Sequence, residues 1–464
     1  MFNLISKKVM KNIAIKICLL TIISLVSCEI TDVNVDPDNP SAEQVNVGAI
    51  YPGMISQTHR NLVALGGRIA GIVVQQFEGL DAQQIAYGQY NIGESDTDDL
   101  WDFGLYAGSM KDAFVIMDNN PGEASALAKL YMAVNLGVAT CTWGDVPYSG
   151  AFTGDQGNLT PTYDSQESLY QVIQTLLSES ISEGVVSGIG AFAGAGSADN
   201  VDWEGVAHAL KARYYLHLTT VDASAAQNAL GEIQQAFSST AEQPDFIYST
   251  PAQNANPLFL FDNDRPSTLG FSQVLYAEME AKNDPRLPLY TADGESFAGV
   301  DGLFWGQAAS PTPLISYWEV KFIEAEAIVR TGGSDIDALA ALREAVVANM
   351  LYMGVSQTDA DSYVNSIAFG ATQEEKIETI LNEKWVALYG NAPIESWVDY
   401  RRTGYPDLLP NPDAVPSVNP SGVIPRRYLY PISERQTNLE NYEAAISAQG
   451  GHLLDDDIWA FPSN

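Results

Sequence analysis

The sequence predicts a mainly α protein, in which helix pairs of the tetratricopeptide kind form a scaffold and loop-rich stretches are set between them. Three observations lead there. Apolar residues recur at i, i+3, i+4 and i+7 in five separate windows, the spacing of an amphipathic helix. Alanines are frequent on those helices, at 207, 209, 212, 325 and 327, and small side chains let helix axes approach closely. Long Gly/Ser/Asn/Pro stretches at 144–162, 187–202, 249–270 and 291–313 separate the periodic windows, and long loops in a compact domain are often functional. No clean repeat of about 34 residues stands out, so any repeats are degenerate.

From the N-terminus, residues 1–27 have the order of a secretory signal: Lys7, Lys8, Lys11 and Lys16, an apolar run from Ile17 to Val26, then small Ser27. A compact signal also fits from Met10. The segment Leu25-Val26-Ser27-Cys28 suits cleavage and lipidation of a bacterial lipoprotein at Cys28. Several acyl chains anchor a protein stably where one does not. Residues 28–45 read as a polar, acidic tether, and 46–464 as one large domain. No later stretch approaches the ~20 consecutive apolar residues of a membrane helix.

Within the domain, the stretch Gln75 to Asn91 mixes amides with Asp81, Gln84, Tyr87 and Tyr90. Amides and carboxylates suit paired hydrogen bonds to hydroxyls. Trp101 opens the next helix and can face either core or ligand. Leu127, Leu130, Tyr131, Val134 and Val138 share one helical face. Asp164, with Glu167 three residues on, reads as a capping box ahead of the face Leu169, Val172, Ile173, Leu176, Leu177 and Ile181. Trp203, Val206, Leu210, Tyr214 and His217 form a third face, Val320, Ile323 and Ala327 a fourth, and Ile377, Ile380, Leu381, Trp385 and Leu388 a fifth. Trp143, Trp203, Trp385 and Trp397 are expected in the core. Phe304 and Trp305 differ, because they lie in the Gly-rich loop 298–307. A flat aromatic packs against the C–H face of a sugar while its edge stays wet, so these two are candidate glycan platforms.

Charge and cysteine content narrow the function. The signal segment holds four of the 23 basic residues and none of the 58 acidic ones, so the remainder is more acidic still than the whole chain's net −35. That argues against nucleic acid as a partner, since phosphate contacts need a basic face. It favours neutral glycans over anionic ones unless a local basic pocket exists. Of three cysteines, Cys18 lies in the signal and Cys28 is the lipidation candidate. Only Cys141 remains, so no internal disulfide forms.

Enzyme signatures are scarce. His59, His208, His217 and His452 make no HExxH and no paired metal spacing, and no cysteine pair suits zinc. No P-loop is present. Gly188-Ile-Gly190 lacks the strand-to-helix context of a dinucleotide site, and Gly294-Glu-Ser296-Phe-Ala298 only approximates a nucleophile elbow. Asp96, Asp98 and Asp99, like Asp455, Asp456 and Asp457, read as a solvated loop or helix start; hard cations favour several oxygens, so a calcium ion is the alternative at either place, without EF-hand spacing to support it. No cofactor and no metal are expected. A glycoside hydrolase needs only two carboxylates, and nothing singles out a pair.

Several phrases occur in the order expected of one family. They are TWGDVPY at 142–148, PTYDSQESLY at 161–170, WEGVAHALKAR at 203–213, NDPRL at 283–287 and KFIEAEA at 321–327. EKWVALY at 383–389, ESWVDYRRTGYP at 395–406, RRYLYPISE at 426–434 and Asn438 follow. Together they resemble the SusD/RagB family of Bacteroidetes. The resemblance implies four tetratricopeptide-like helix pairs as scaffold and an irregular region carrying the ligand site. It implies a non-catalytic lipoprotein on the outer face of the outer membrane, sitting as a lid over a SusC-like TonB-dependent transporter and passing it an oligo- or polysaccharide. Relatives build the ligand site from variable aromatic loops, which singles out Phe304 and Trp305 and the 75–91 patch with Asp81, Gln84, Tyr87 and Tyr90, with Trp101 beside it as a further candidate. A peptide-capturing RagB-like protein and a pure protein-interaction scaffold are the alternatives.

Overall fold

A computed structural model describes residues 47–119, 122–184, 200–250, 254–297 and 303–463. The signal, Cys28, the tether, Gly188-Ile-Gly190 and the start of the 298–307 loop lie outside these residues. The chain opens with α1 (Val47–Val63), α2 (Leu65–Val73), β1 (Phe77–Gly79) and α3 (Ala82–Gly88). A π-helical stretch, Leu100–Ser109, then leads into α4 (Met110–Asn119) and the long α5 (Glu123–Trp143). Next come α6 (Gln166–Ser182), α7 (Trp203–His217) and α8 (Ala225–Ile233). An irregular excursion carries β2 (Asp245–Phe246), α9 (Pro257–Asp264), β3 (Leu269–Phe271), α10 (Gln273–Ala281), α11 (Leu287–Tyr290) and β4 (Thr312–Pro313). The chain returns to helices with α12 (Tyr317–Arg330), α13 (Asp335–Tyr352), α14 (Gln357–Asn365), α15 (Gln373–Ala387) and α16 (Pro393–Thr403). It ends with α17 (Ile432–Thr437) and α18 (Leu439–Gln449).

All five predicted helical faces fall on helices, and mainly α is the fold class observed. Local signals set several boundaries. Ser316, Ser334 and Ser356 each accept a backbone N–H in the first turn of α12, α13 and α14. The capping box stands at Thr372 and Glu375, ahead of α15. Asp164 is not a cap, because Ser165 holds that position for α6. Asp164 instead accepts from Tyr148 N and Ser149 N, both at 2.8 Å, and fastens the loop after α5.

Helices α4 to α8 pack each on the next, α8 then packs on α12, and α12 on α13 and α15. The excursion between α8 and α12 leaves this array, and its β3 pairs antiparallel with β1 while β4 pairs with β2. Helix α5 has the length and composition of a membrane helix, but 89 % of its apolar window is buried, so it is the core helix of the array. Gly137 lets α7 approach it, since a methyl group there would overlap the Tyr214 ring.

The faces joining α6, α7, α12, α15 and α16 are charged as well as apolar. Arg213 on α7 clasps Glu319 on α12 with two bonds of 2.7 Å. His217 bridges Tyr170 on α6 (3.0 Å) and Glu395 on α16 (2.8 Å). Arg402 on α16 donates to Glu326 on α12 at 2.8 Å and to Asp399 at 2.7 Å. Lys384 on α15 reaches the same Asp399 at 2.7 Å, and Arg330 reaches Glu326 at 2.6 Å. Apart from half-buried Arg330, every one of these groups is buried. Arg402 and Arg330 hold the Glu326 carboxyl far below the usual range against the opposing effect of burial. Arg213 and His217 likewise hold Glu395 down to about 2.

Buried tryptophans seal this assembly, two of them against the C-terminal segment and Trp385 against the end of α2. Trp143 Nε1 donates to Leu429 O at 2.8 Å, Trp397 Nε1 to Pro425 O at 2.7 Å, and Trp385 Nε1 to Val74 O at 2.9 Å.

Two measurements test this. Trp385→Ala removes a buried ring and leaves Val74 O unpaired, so a loss of about 3–5 kcal/mol is expected in chemical denaturation; an unchanged midpoint contradicts the packing. Depressed carboxyls contribute stability that is full above their unfolded pKa and is lost as pH falls through the folded value. Asp112 and Asp245, both pushed up to about 6 by burial, act in the opposite sense between about pH 6 and 4. The melting temperature is therefore expected to fall steeply only below about pH 4.5. Glu326→Gln should cost about 3–5 kcal/mol at neutral pH and flatten that acid slope.

Candidate functional site

Two helix ends build the site. At the end of α2, Gln76 N donates to Gly71 O (2.8 Å) and Gln75 N to Ile72 O (3.1 Å). At the end of α3, Asn91 N donates to Ala86 O (2.8 Å) and Tyr90 N to Tyr87 O (3.0 Å). This paired closure needs a left-handed residue, normally glycine. Here Gln75 and Tyr90 occupy it, each at φ 57°. A side chain in that conformation costs roughly 1–2 kcal/mol, and such strain concentrates at functional positions. Both residues border one cleft of about 510 Å³, Gln75 half-buried and Tyr90 only 2 % exposed.

The cleft lies between β1, α3, the start of α10 and the segment 409–413. That segment is stitched to the two helix ends: Gln75 Nε2 donates to Leu409 O at 2.7 Å, Asn411 N to the Tyr90 hydroxyl at 2.9 Å, and Asn411 Nδ2 to Gly88 O at 2.7 Å. Behind the cleft, an aromatic cluster fixes the β1–β3 ribbon. Phe77 and Phe271, opposite each other across it, both meet the Tyr389 ring edge-on, at 5.2 and 5.3 Å.

The walls combine two kinds of surface. Gln89, Gln273, Asn411, Glu78 and Asp413 supply amides and carboxylates. Ile85, Val274 and Leu409 are aliphatic and 39, 45 and 80 % exposed. Burial pushes the Tyr90 phenol up, so it stays neutral. Its oxygen accepts from Asn411 N, and the Gln75 amide lies beside it. Hydroxyls can be bound by the polar groups and C–H faces by the aliphatic ones. Glu78 and Asp413 stand in solvent, whereas a glycosidase desolvates one of its carboxyls. The four histidines are engaged elsewhere, with Thr312 O, Glu232, Glu395 and Tyr430 N.

The family model described as starch-binding and associating with the outer membrane, SusD-like, matches residues 49–431. The chain belongs to the SusD-like family. A search of curated proteins finds no match. Among solved structures, a chitin-binding protein is 24 % identical to this SusD-like chain, with 90 % of this chain and 100 % of that one covered and a TM-score of 0.73. A SusD/RagB family protein from Bacteroides thetaiotaomicron is 23 % identical over 91 % and 100 % of the two chains, TM-score 0.70. A chitin-binding SusD homologue from Flavobacterium johnsoniae is 19 % identical over 89 % and 99 %, TM-score 0.74.

The motif residues of this SusD-like chain are structural. Arg213, Glu326, Lys384, Glu395, Asp399 and Arg402 form the buried ionic junction. Of the seven ligand candidates read from the sequence, only Tyr90 lines the cleft. The expectation that Trp305 stands on an open loop is corrected, because its exposure is 0 %. A turn at Phe304–Gly306, tied by Ser310 to Phe304 O, folds the indole inward. Gly390 makes room for it, since a Cβ there would lie 2.8 Å from the Trp305 side chain. Phe304 is half-buried and meets Trp305 (4.8 Å) and Tyr352 (5.6 Å) edge-on. Trp101 is core as well, edge-on to Trp143 at 5.1 Å.

Tyr87 is buried and donates to Asp96 at 3.3 Å, Gln84 is buried against Arg68, and exposed Asp81 caps α3. The residues not anticipated are Ile72, Ser272, Gln273, Val274 and 409–413. The Pro/Asn-rich composition of 409–413 marks a loop, but nothing in it names the patch it meets. The expected outcome for Trp305→Ala is a loss of about 3–5 kcal/mol in stability, with glycan affinity unchanged at temperatures where the variant is folded. A selective loss of affinity without destabilisation would restore the platform role.

Proposed function

We propose that this protein captures a glycan at the cell surface, without cleaving it, and hands it to a SusC-like TonB-dependent transporter in the outer membrane, where lipidation at Cys28 anchors it. The observation that carries this reading is the cleft. Two strained helix ends place Gln75 and Tyr90 there among amides and exposed aliphatics, a surface matched to a sugar's mixed polarity. The family description as starch-binding and the two chitin-binding neighbours of the same fold support a polysaccharide ligand. The acidic surface and the leader sequence fit an exported, soluble domain on a tether.

The test is affinity electrophoresis of the full chain against starch, chitin oligosaccharides, mannan and fructan, with an assay for released reducing sugar. Retardation by one of them without release is expected. Reducing sugar would make the protein a hydrolase, and failure to bind any glycan would overturn capture. Gln75→Gly separates site from scaffold. It relieves about 1 kcal/mol of left-handed strain and forfeits one hydrogen bond of about 1 kcal/mol. The melting temperature should therefore stay within a few degrees while glycan binding weakens by at least ~1 kcal/mol.

A further inference from the structure

We propose that Arg68 and Arg265 form a seat for a negatively charged substituent, a carboxylate or a sulfate ester, on the captured glycan. The inference rests on the glycan-capture reading and narrows its substrate.

The buried arginines of this chain are otherwise accounted for. Arg213, Arg286 and Arg402 each bind a carboxylate. Arg401 and Arg427 donate to main-chain carbonyls, Arg401 to Cys141 O at 2.6 Å and Arg427 to Tyr428 O at 3.2 Å. Arg68, on α2, does neither. It is 8 % exposed. Its Nε donates to Gln84 Oε1 at 3.1 Å, and among the described residues its two terminal amino groups meet no acceptor and no carboxylate lies within ion-pair distance.

Its guanidinium sits 3.7 Å from the ring centre of Phe261 on α9. Arg265, at the end of α9, lies over the same ring at 5.4 Å, is exposed, and also lacks an acidic partner among the described residues. Two cations on one ring disfavour each other's charge. Burial first, and Arg265 with it, push Arg68 down to about 10. A buried charge is normally paired, and this chain has 58 acidic side chains to draw on, yet none is placed here. A planar guanidinium with free terminal N–H groups presents a fork that matches a carboxylate or sulfate.

The seat adjoins the cleft. Ile72, one turn beyond Arg68 on α2, and Ile85, next after Gln84, both line it. Glu78 and Asp413 on the cleft walls repel anions, so the arrangement suits a chain whose neutral sugars occupy the cleft and whose charged group reaches the arginine pair. This is the local basic site that the sequence alone does not reveal.

The experiment is affinity electrophoresis and calorimetry of the full chain in detergent at low salt. Two matched pairs are used, polygalacturonate against its methyl ester and dextran sulfate against dextran, beside the neutral panel. Binding of one charged member over its uncharged partner is expected, and the pair that discriminates tells carboxylate from sulfate. Arg68→Gln should weaken that binding at least tenfold and leave binding of any neutral glycan unchanged. Arg265→Gln, on the surface, should do the same in part and guards against misfolding of the first variant. Neutral glycan bound with both charged polymers refused overturns the seat and leaves glycan capture standing. Full affinity for the charged glycan in both variants also overturns the seat. Failure to bind any polymer, charged or neutral, overturns both.

Discussion

The buried ionic junction between α7, α12, α15 and α16 is the constraint on which the rest of the structure depends. Removing these charges from water is expensive, and their attraction compensates only where geometry is close and every partner is present. Arg213 with Glu319, His217 with Glu395, and Arg402 with both Glu326 and Asp399 can be satisfied together in only one arrangement of these helices. Apolar faces alone tolerate sliding, whereas an ionic lock of this kind fixes register. With α15 and α16 fixed, Trp385 reaches Val74 at the end of α2, and so the ribbon and cleft that follow α2 are held against the scaffold.

The junction also explains which parts of the chain were legible. Helical spacing is a local property, so the five faces could be read directly from the sequence. The motif phrases are dense in Arg, Glu, Asp and Trp because those residues meet at the junction and along the C-terminal segment. They therefore report the fold and its family, and they are silent on the ligand. Trp143, Trp385 and Trp397 were assigned to the core from their patterned surroundings, and each is buried with its N–H bonded to a distant carbonyl.

The cleft was legible only in part. The amide-rich stretch 75–91 carries Gln75, Ile85, Gln89 and Tyr90 to it, but composition cannot tell Tyr90, just past the end of α3, from Tyr87 inside that helix; both rings are buried, and only Tyr90 borders the cleft. The difference is the left-handed turn at Tyr90, which depends on how α3 ends. Trp305 misleads for the converse reason. A glycine-rich neighbourhood suggests an open loop, and it is a different glycine, Gly390, that admits the ring to the core. Gln273, Val274 and 409–413 come from two further parts of the chain, and their meeting is a property of tertiary packing.

The segment that closes the cleft has a consequence for recognition. It is tied to the helix ends by hydrogen bonds through Gln75, Tyr90 and Asn411 and by Val415 N to Gln89 O, and a loop held by few bonds opens more readily than a packed helix. Any opening of the wall lowers the observed affinity in proportion to the fraction of molecules in which it stands closed. Pro410, Pro412 and Pro416 limit the conformations available to the open segment, and restricting the disordered state favours the ordered one. The prolines thus act on a ligand they need never touch, by setting how much of the binding free energy is spent on assembling the site.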